Sequence, residues 1–173
     1  MIKFLTPTFH SLGTQMPQMI NLFESDVLTD WIDYNGHMND AYYVVAFSKA
    51  IDAFMVHIGL NEDFRSEHQV SIYTLQSMVQ YLKEVMEGEP IIIKGQLLES
   101  DNKKLRLYMT MYHGKANDEL ATMETLLLHM NMELHRAAPF LPTTATLVES
   151  MQDSHNALEA PMNAGKGISL KRK

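Results

Sequence analysis

The chain has 173 residues, 46% apolar and 20% charged, with 14 Lys and Arg against 21 Asp and Glu for a formal charge of −7. That length suits one well-buried core and is short for two, and the acidic balance argues against broad adhesion to nucleic acid or anionic membrane, while leaving room for a local anion site. The absence of cysteine excludes disulfides, a thiol nucleophile and thiolate metal sites, and with no apolar run of transmembrane length and no signal-type start, a cytoplasmic protein is expected.

Residues 1–21, broken by Pro7, Gly13 and Pro17, are expected to form an arm with one short strand or turn. Leu22 to Ile32 alternates incompletely, with Val27, Leu28, Trp31 and Ile32 as its apolar members, and predicts a strand that delivers Asp33 to its end. Asn35-Gly36 suits a turn with positive φ, and Asn39 or Asp40 can cap a following helix. That helix is predicted from about Ala41 to Ile58, because Tyr43, Ala46, Phe47, Ala50, Ile51, Phe54 and Ile58 recur at three and four residues. Gly59 is placed to stop it.

A polar connection is expected over Asn61 to Glu67, then a strand from Val70 that continues through Leu82, and a further connection at Gly88-Glu89-Pro90. Ile91 to Leu98 predicts the next strand, with Asp101 and Asn102 as a hairpin turn. Leu105, Leu107, Met109 and Met111 alternate with Arg106, Tyr108, Thr110 and Tyr112, the clearest half-buried strand pattern in the chain. His113 to Glu119 reads as a turn and Leu120 to Leu134 as a long strand. Beyond Pro139 and Pro142, a terminal helix over Thr143 to Leu158 precedes a loose tail with Gly165, Gly167 and the basic end Lys171-Arg172-Lys173. The pattern is α+β: a long antiparallel sheet around one helix, with domain bounds of 22–142 and extensions on either side.

The chemistry concentrates in Asp33 to Asp40. An aspartate beside a helix N-terminus can activate water or attack a carbonyl directly, while backbone N–H groups at the helix entrance stabilise the developing oxyanion. Gly36 would allow close backbone approach. Taken locally, the same residues read more readily as turn and cap acceptors, and His37 as a turn stabiliser, since one histidine near two acids is a weak metal signature. Glu124 and His129 have odd spacing, which puts them on opposite faces of one strand. Gln76, Ser77, Glu124 and His129 are read as paired polar groups or as lining, without a catalytic role.

The stretch Asp33-x-x-Gly36-His37-x-Asn39, followed by Asp40 to Tyr43 and the helix, resembles the turn and central-helix start of hotdog-fold acyl-CoA thioesterases of the 4-hydroxybenzoyl-CoA thioesterase type. Element order extends the likeness over about residues 22 to 140. Within that group it is closest to the branch associated with carnitine breakdown, the betainyl-CoA thioesterases. The resemblance implies a hotdog fold, a homodimer with assembly to a tetramer as a further option, and a site near a subunit boundary. It implies hydrolysis of betainyl-CoA to glycine betaine and coenzyme A without a cofactor or metal, coenzyme A being part of the substrate and a product.

By the same resemblance Asp33 corresponds to the catalytic carboxylate. Gly36, Met38, Asn39 and Asp40 form the oxyanion or turn backbone, and His37 and Asn39 organise the site. Trp31, Tyr34, Tyr42, Tyr43 and Tyr73 are candidate contacts for a trimethylammonium group by cation–π attraction, or else core and rim residues. Lys94 and Arg136 are the foremost of several basic candidates for coenzyme A phosphates. Hydrolysis of another short or medium acyl-CoA, a noncatalytic acyl-binding protein and a dehydratase are the competing readings. No Gly-rich phosphate loop, paired metal-ligand motif or nucleic-acid pattern competes.

Overall fold

The computed structural model describes residues 17–170. Strands β1 (Ile20–Asp26), β2 (Val70–Tyr81), β3 (Pro90–Ser100), β4 (Lys104–His113) and β5 (Glu119–Asn131) form one antiparallel sheet in the order β1-β3-β4-β5-β2, with a short β6 (Arg136–Ala137) on β5. Helix α1 (Asp40–His57) lies against it, joined to β2 by α2 (Glu62–His68), and α3 (Pro142–His155) follows the last strand. On β4 the predicted alternation puts Leu105, Leu107, Met109 and Met111 in the core. They share one apolar cluster with Ala46, Phe47, Ala50 and Phe54 of α1. Each fully buried large side chain contributes roughly 1.5–3 kcal/mol, enough to pin the helix to the sheet.

The two central hairpins form where the sequence put them. Asp101 Oδ1 accepts the N–H groups of Lys103 and Lys104 at 2.8 and 2.6 Å, and His113 Nδ1 accepts those of Lys115 and Ala116 at 3.2 and 3.1 Å. Gly59, at φ +81°, ends α1 as expected.

Other elements differ from expectation for local reasons. The strand expected over Leu22 to Ile32 is two elements: β1 ends at Asp26 opposite Pro90, and a 3₁₀ turn (Thr29–Trp31) follows. Pro90 has no N–H to extend the ladder, and Val27 instead exchanges backbone hydrogen bonds with Glu89 and Gly88. The expected polar connection at Asn61 contains α2, capped by Asn61 Oδ1 on the Phe64 N–H at 2.9 Å and closed by Gln69 at φ 50°. Strand β5 stops at Asn131, short of Leu134, because Asn131 Oδ1 takes the Leu134 N–H at 2.7 Å and turns the chain back into β6.

Helix α3 covers the part of β3 that β1 does not reach. Leu97 N–H donates to His155 Nδ1 at 2.8 Å, and Gln152 Nε2 donates to the carbonyls of Leu97 and Leu98 at 3.4 and 3.3 Å. The tail expected to be loose is engaged at Gly165, whose N–H donates to Glu124 Oε2 at 2.7 Å. The first 16 residues of the expected arm and the basic end Lys171–Lys173 lie outside the described residues.

Candidate active site

The turn before α1 is held by its own backbone. Asp33 N–H donates to His37 O, Gly36 N–H to Asp33 O and Asn39 N–H to Trp31 O, at 2.9 to 3.0 Å. Gly36 sits at φ +83°, and a Cβ built there meets nothing within 4 Å. Glycine suits this position for its backbone angle, and the space a Cβ would fill is open. Asn35 N–H donates to Asp33 Oδ1 at 2.7 Å, so one carboxylate oxygen closes the turn. Asn39 is the N-cap, accepting the Ala41 N–H at 3.0 Å.

A second segment closes the site from the other side. After β2 the chain runs past the turn, where Met38 N–H donates to Val85 O at 2.9 Å and His37 bridges to Met86. Between the two lies a cleft of about 730 Å³ lined by Asp33, His37, Met38, Asp40, Tyr43, Tyr81, Leu82, Lys83 and Glu84. His37 Nδ1 lies 2.8 Å from Glu84 Oε2, and Lys83 pairs with Asp118 at 2.9 Å.

Backbone pairing narrows the donors that can meet a substrate oxygen. Of the residues expected as oxyanion or turn backbone, Gly36, Met38 and Asn39 already donate their amides to carbonyls and so serve the turn. Asp40 is the first residue of α1, a position whose N–H has no partner inside the helix. The helix dipole adds partial positive charge there.

Of the expected aromatic contacts, Tyr43 alone lines this cleft. Trp31 is buried and stacks on Tyr42 with centroids 5.9 Å apart, behind the turn. Tyr34 is 96% exposed, and Tyr73 sits half-exposed on β2, outside the cleft lining. Tyr81, which the sequence reading passed over as a strand residue, packs edge-to-face on Tyr43 at 5.4 Å. Burial and the Glu84 carboxylate push the Tyr43 hydroxyl up to about 12, and burial with Asp40 raises Tyr81, so both rings stay neutral.

The basic candidates lie elsewhere. Lys94 sits over the Tyr112 ring at 5.5 Å, and Arg136 is exposed on β6. Arg106 is held by Glu99 at 2.8 Å and by Glu124 at 2.6 Å. As the odd spacing required, His129 faces the core, its Nδ1 2.9 Å from Ala138 O, while Glu124 faces outward to Arg106. Gln76, Ser77 and Glu124 line a separate cleft of about 530 Å³ under the tail. Among the described residues no group of three or more His, Asp or Glu is placed to hold a metal ion. No single helix among them is long and apolar enough to cross a membrane.

A long helix packed on a curled antiparallel sheet, with an acid at the helix entrance, defines a hotdog-fold protein. A hypothetical protein from Staphylococcus aureus, solved in complex with CoA, superposes with TM-score 0.85 at 23% identity, covering 92% of this chain and 99% of its own. A putative thioesterase from Pseudomonas putida KT2440 superposes with TM-score 0.76 at 31% identity, covering 90% and 99%. Residues 27–147 match the thioesterase-like superfamily, and the chain belongs to it. It is also 38% identical over 155 residues to a betainyl-CoA thioesterase from Pseudomonas aeruginosa, covering 90% of this chain and 98% of the relative.

Proposed function

We propose that the protein is an acyl-CoA thioesterase that hydrolyses betainyl-CoA to glycine betaine and coenzyme A. The observation that carries this reading is the 38% identity, over nearly the full length of both chains, to the Pseudomonas aeruginosa betainyl-CoA thioesterase. The site supplies suitable parts: a half-buried carboxylate at Asp33 and a helix-entrance amide at Asp40 on one cleft.

In one route Asp33 takes a proton from water as the water oxygen bonds to the thioester carbon. The carbonyl electrons move onto oxygen, where the Asp40 N–H stabilises them. Collapse breaks the carbon–sulfur bond, and the departing thiolate receives the proton from Asp33. In the other route an Asp33 oxygen bonds to the carbonyl carbon, the thiolate leaves, and water cleaves the resulting anhydride. Both need no cofactor. Rapid-quench mass spectrometry separates them, since an acyl adduct on Asp33 belongs to the second alone.

The proposal includes a homodimer in the cytoplasm. Its support is that β2 pairs only with β5 among the described strands, and that its free edge carries exposed Tyr73 and Leu75. Light scattering tests it, with a monomeric mass as the contrary result. A thiol-release assay across betainyl-CoA and uncharged acyl-CoAs tests the substrate. Absence of any preference for betainyl-CoA would leave a thioesterase of broader range.

A further inference from the structure

The cleft that Asp33 lines is also lined by the rings of Tyr43 and Tyr81 and by the carboxylates of Asp40 and Glu84. Tyr43 and Tyr81 meet at an interplanar angle of 85°, and each hydroxyl is committed to backbone: Tyr43 donates to Lys83 O at 3.3 Å and Tyr81 to Asp40 O at 3.2 Å. Tied in this way, the rings offer the cleft carbon framework rather than a hydroxyl, and Tyr81, 49% exposed, carries most of the open ring surface, Tyr43 being buried. Glu84 is held by His37, and Lys83 is turned to Asp118. The lining therefore combines two aromatic rings with three carboxylates, Asp33, Asp40 and Glu84, against a single ammonium, Lys83.

We propose that Tyr81, with Tyr43 and Glu84, forms the subsite for a quaternary ammonium at the end of a short acyl chain, and that Tyr81 sets the preference for charged over uncharged acyl-CoA. The inference rests on the reading of the protein as a betainyl-CoA thioesterase and adds which side chains read the acyl group. In betainyl-CoA one methylene separates the ammonium from the thioester carbonyl. A carbonyl placed between Asp33 and the Asp40 N–H therefore leaves the ammonium inside the same cleft, which Tyr43, Tyr81 and Glu84 also line. A fully methylated ammonium has no N–H to donate, so ring faces and carboxylate charge are the groups that can recognise it.

The test compares kcat/KM for betainyl-CoA with that for 3,3-dimethylbutanoyl-CoA, in which a quaternary carbon replaces the nitrogen at nearly constant shape. The wild type favours the charged substrate. Tyr81→Leu lowers the charged-to-neutral ratio about ten-fold, whereas Tyr81→Phe, which keeps the ring, holds it within about two-fold. Glu84→Gln lowers the ratio about three-fold and carries the test should Tyr81→Leu not fold. Equal losses on both substrates, or an unchanged ratio in Tyr81→Leu and Glu84→Gln, would overturn the subsite. A wild type that cleaves the neutral thioester but not betainyl-CoA would instead overturn the functional reading, and the subsite with it.

Discussion

At the Asp33 turn an acid and an imidazole stand partly exposed on a cleft, whereas where α3 meets β3 an imidazole and an amide are shut away against the sheet. The backbone explains the contrast. In the turn, the amides of Asp33, Gly36, Met38 and Asn39 all find carbonyl partners, so Asp33 spends one carboxylate oxygen on the Asn35 N–H and keeps the other for a ligand. At β3 the strand runs past the end of β1, and the Leu97 N–H and carbonyl have only His155 and Gln152 to satisfy them. Side chains that complete the backbone are structural, because an unpaired buried polar group is costly. Those relieved of that duty are where chemistry can be placed.

Substitution at each region separates these roles. Asp33→Asn keeps an oxygen for the Asn35 N–H but removes the ionised carboxylate, so thiol release should fall by about 10²- to 10⁴-fold with little change in melting temperature. His155→Ala should do the reverse. Stranding the buried Leu97 N–H and opening a cavity should cost about 2–3 kcal/mol in urea denaturation, with the specific activity of the folded fraction retained.

Acid should discriminate between the regions too. Burial holds His129 and His155 below the ordinary 6.5, despite hydrogen bonds with the Ala138 and Gln18 backbone that act the other way. The unfolded chain therefore binds more protons as pH drops below 6.5. The stability these histidines contribute is fully present above that value and is lost as pH falls through their folded-state pKa values. Unfolding free energy should drop as pH falls below 6.5, and His155→Gln should flatten that slope. The smallest effect is expected of Gly36→Ala: an alanine at positive φ costs about 1 kcal/mol, with no added clash, and a melting curve measures it.

The legible parts of the molecule were those written locally. The Asn39 cap, the α1 stripe of Tyr43, Ala46, Phe47, Ala50 and Phe54, and the β4 alternation each follow from a short window, and all three formed. The turn was equally readable because Asp33, Gly36 and Asn39 fall within one loop.

The second segment was not readable, because Tyr81 to Glu84 meet the turn through contacts distant in sequence, among them the Met38–Val85 and His37–Met86 backbone contacts and the Tyr81 hydroxyl on Asp40 O, which no side-chain period announces. Proximity in sequence was a poor guide to the aromatic residues. Tyr34, next to Asp33, faces solvent, and Tyr42 turns toward Trp31, while Tyr81 arrives from the end of another strand. The split of the first strand and the presence of α2 were missed for a related reason: a missing ladder donor at Pro90 and a side-chain cap at Asn61 outweighed the apolar pattern.

The most direct measurement is the structure of the protein with a ketone analogue of betainyl-CoA, in which a methylene replaces the sulfur and cleavage cannot occur. The analogue's carbonyl oxygen should lie within hydrogen-bond reach of the Asp40 N–H, with the Asp33 carboxylate against the carbonyl carbon or one water away. A ketone carbonyl bound away from Asp33, for instance in the cleft beneath Gly165 and Ile168, would contradict the account.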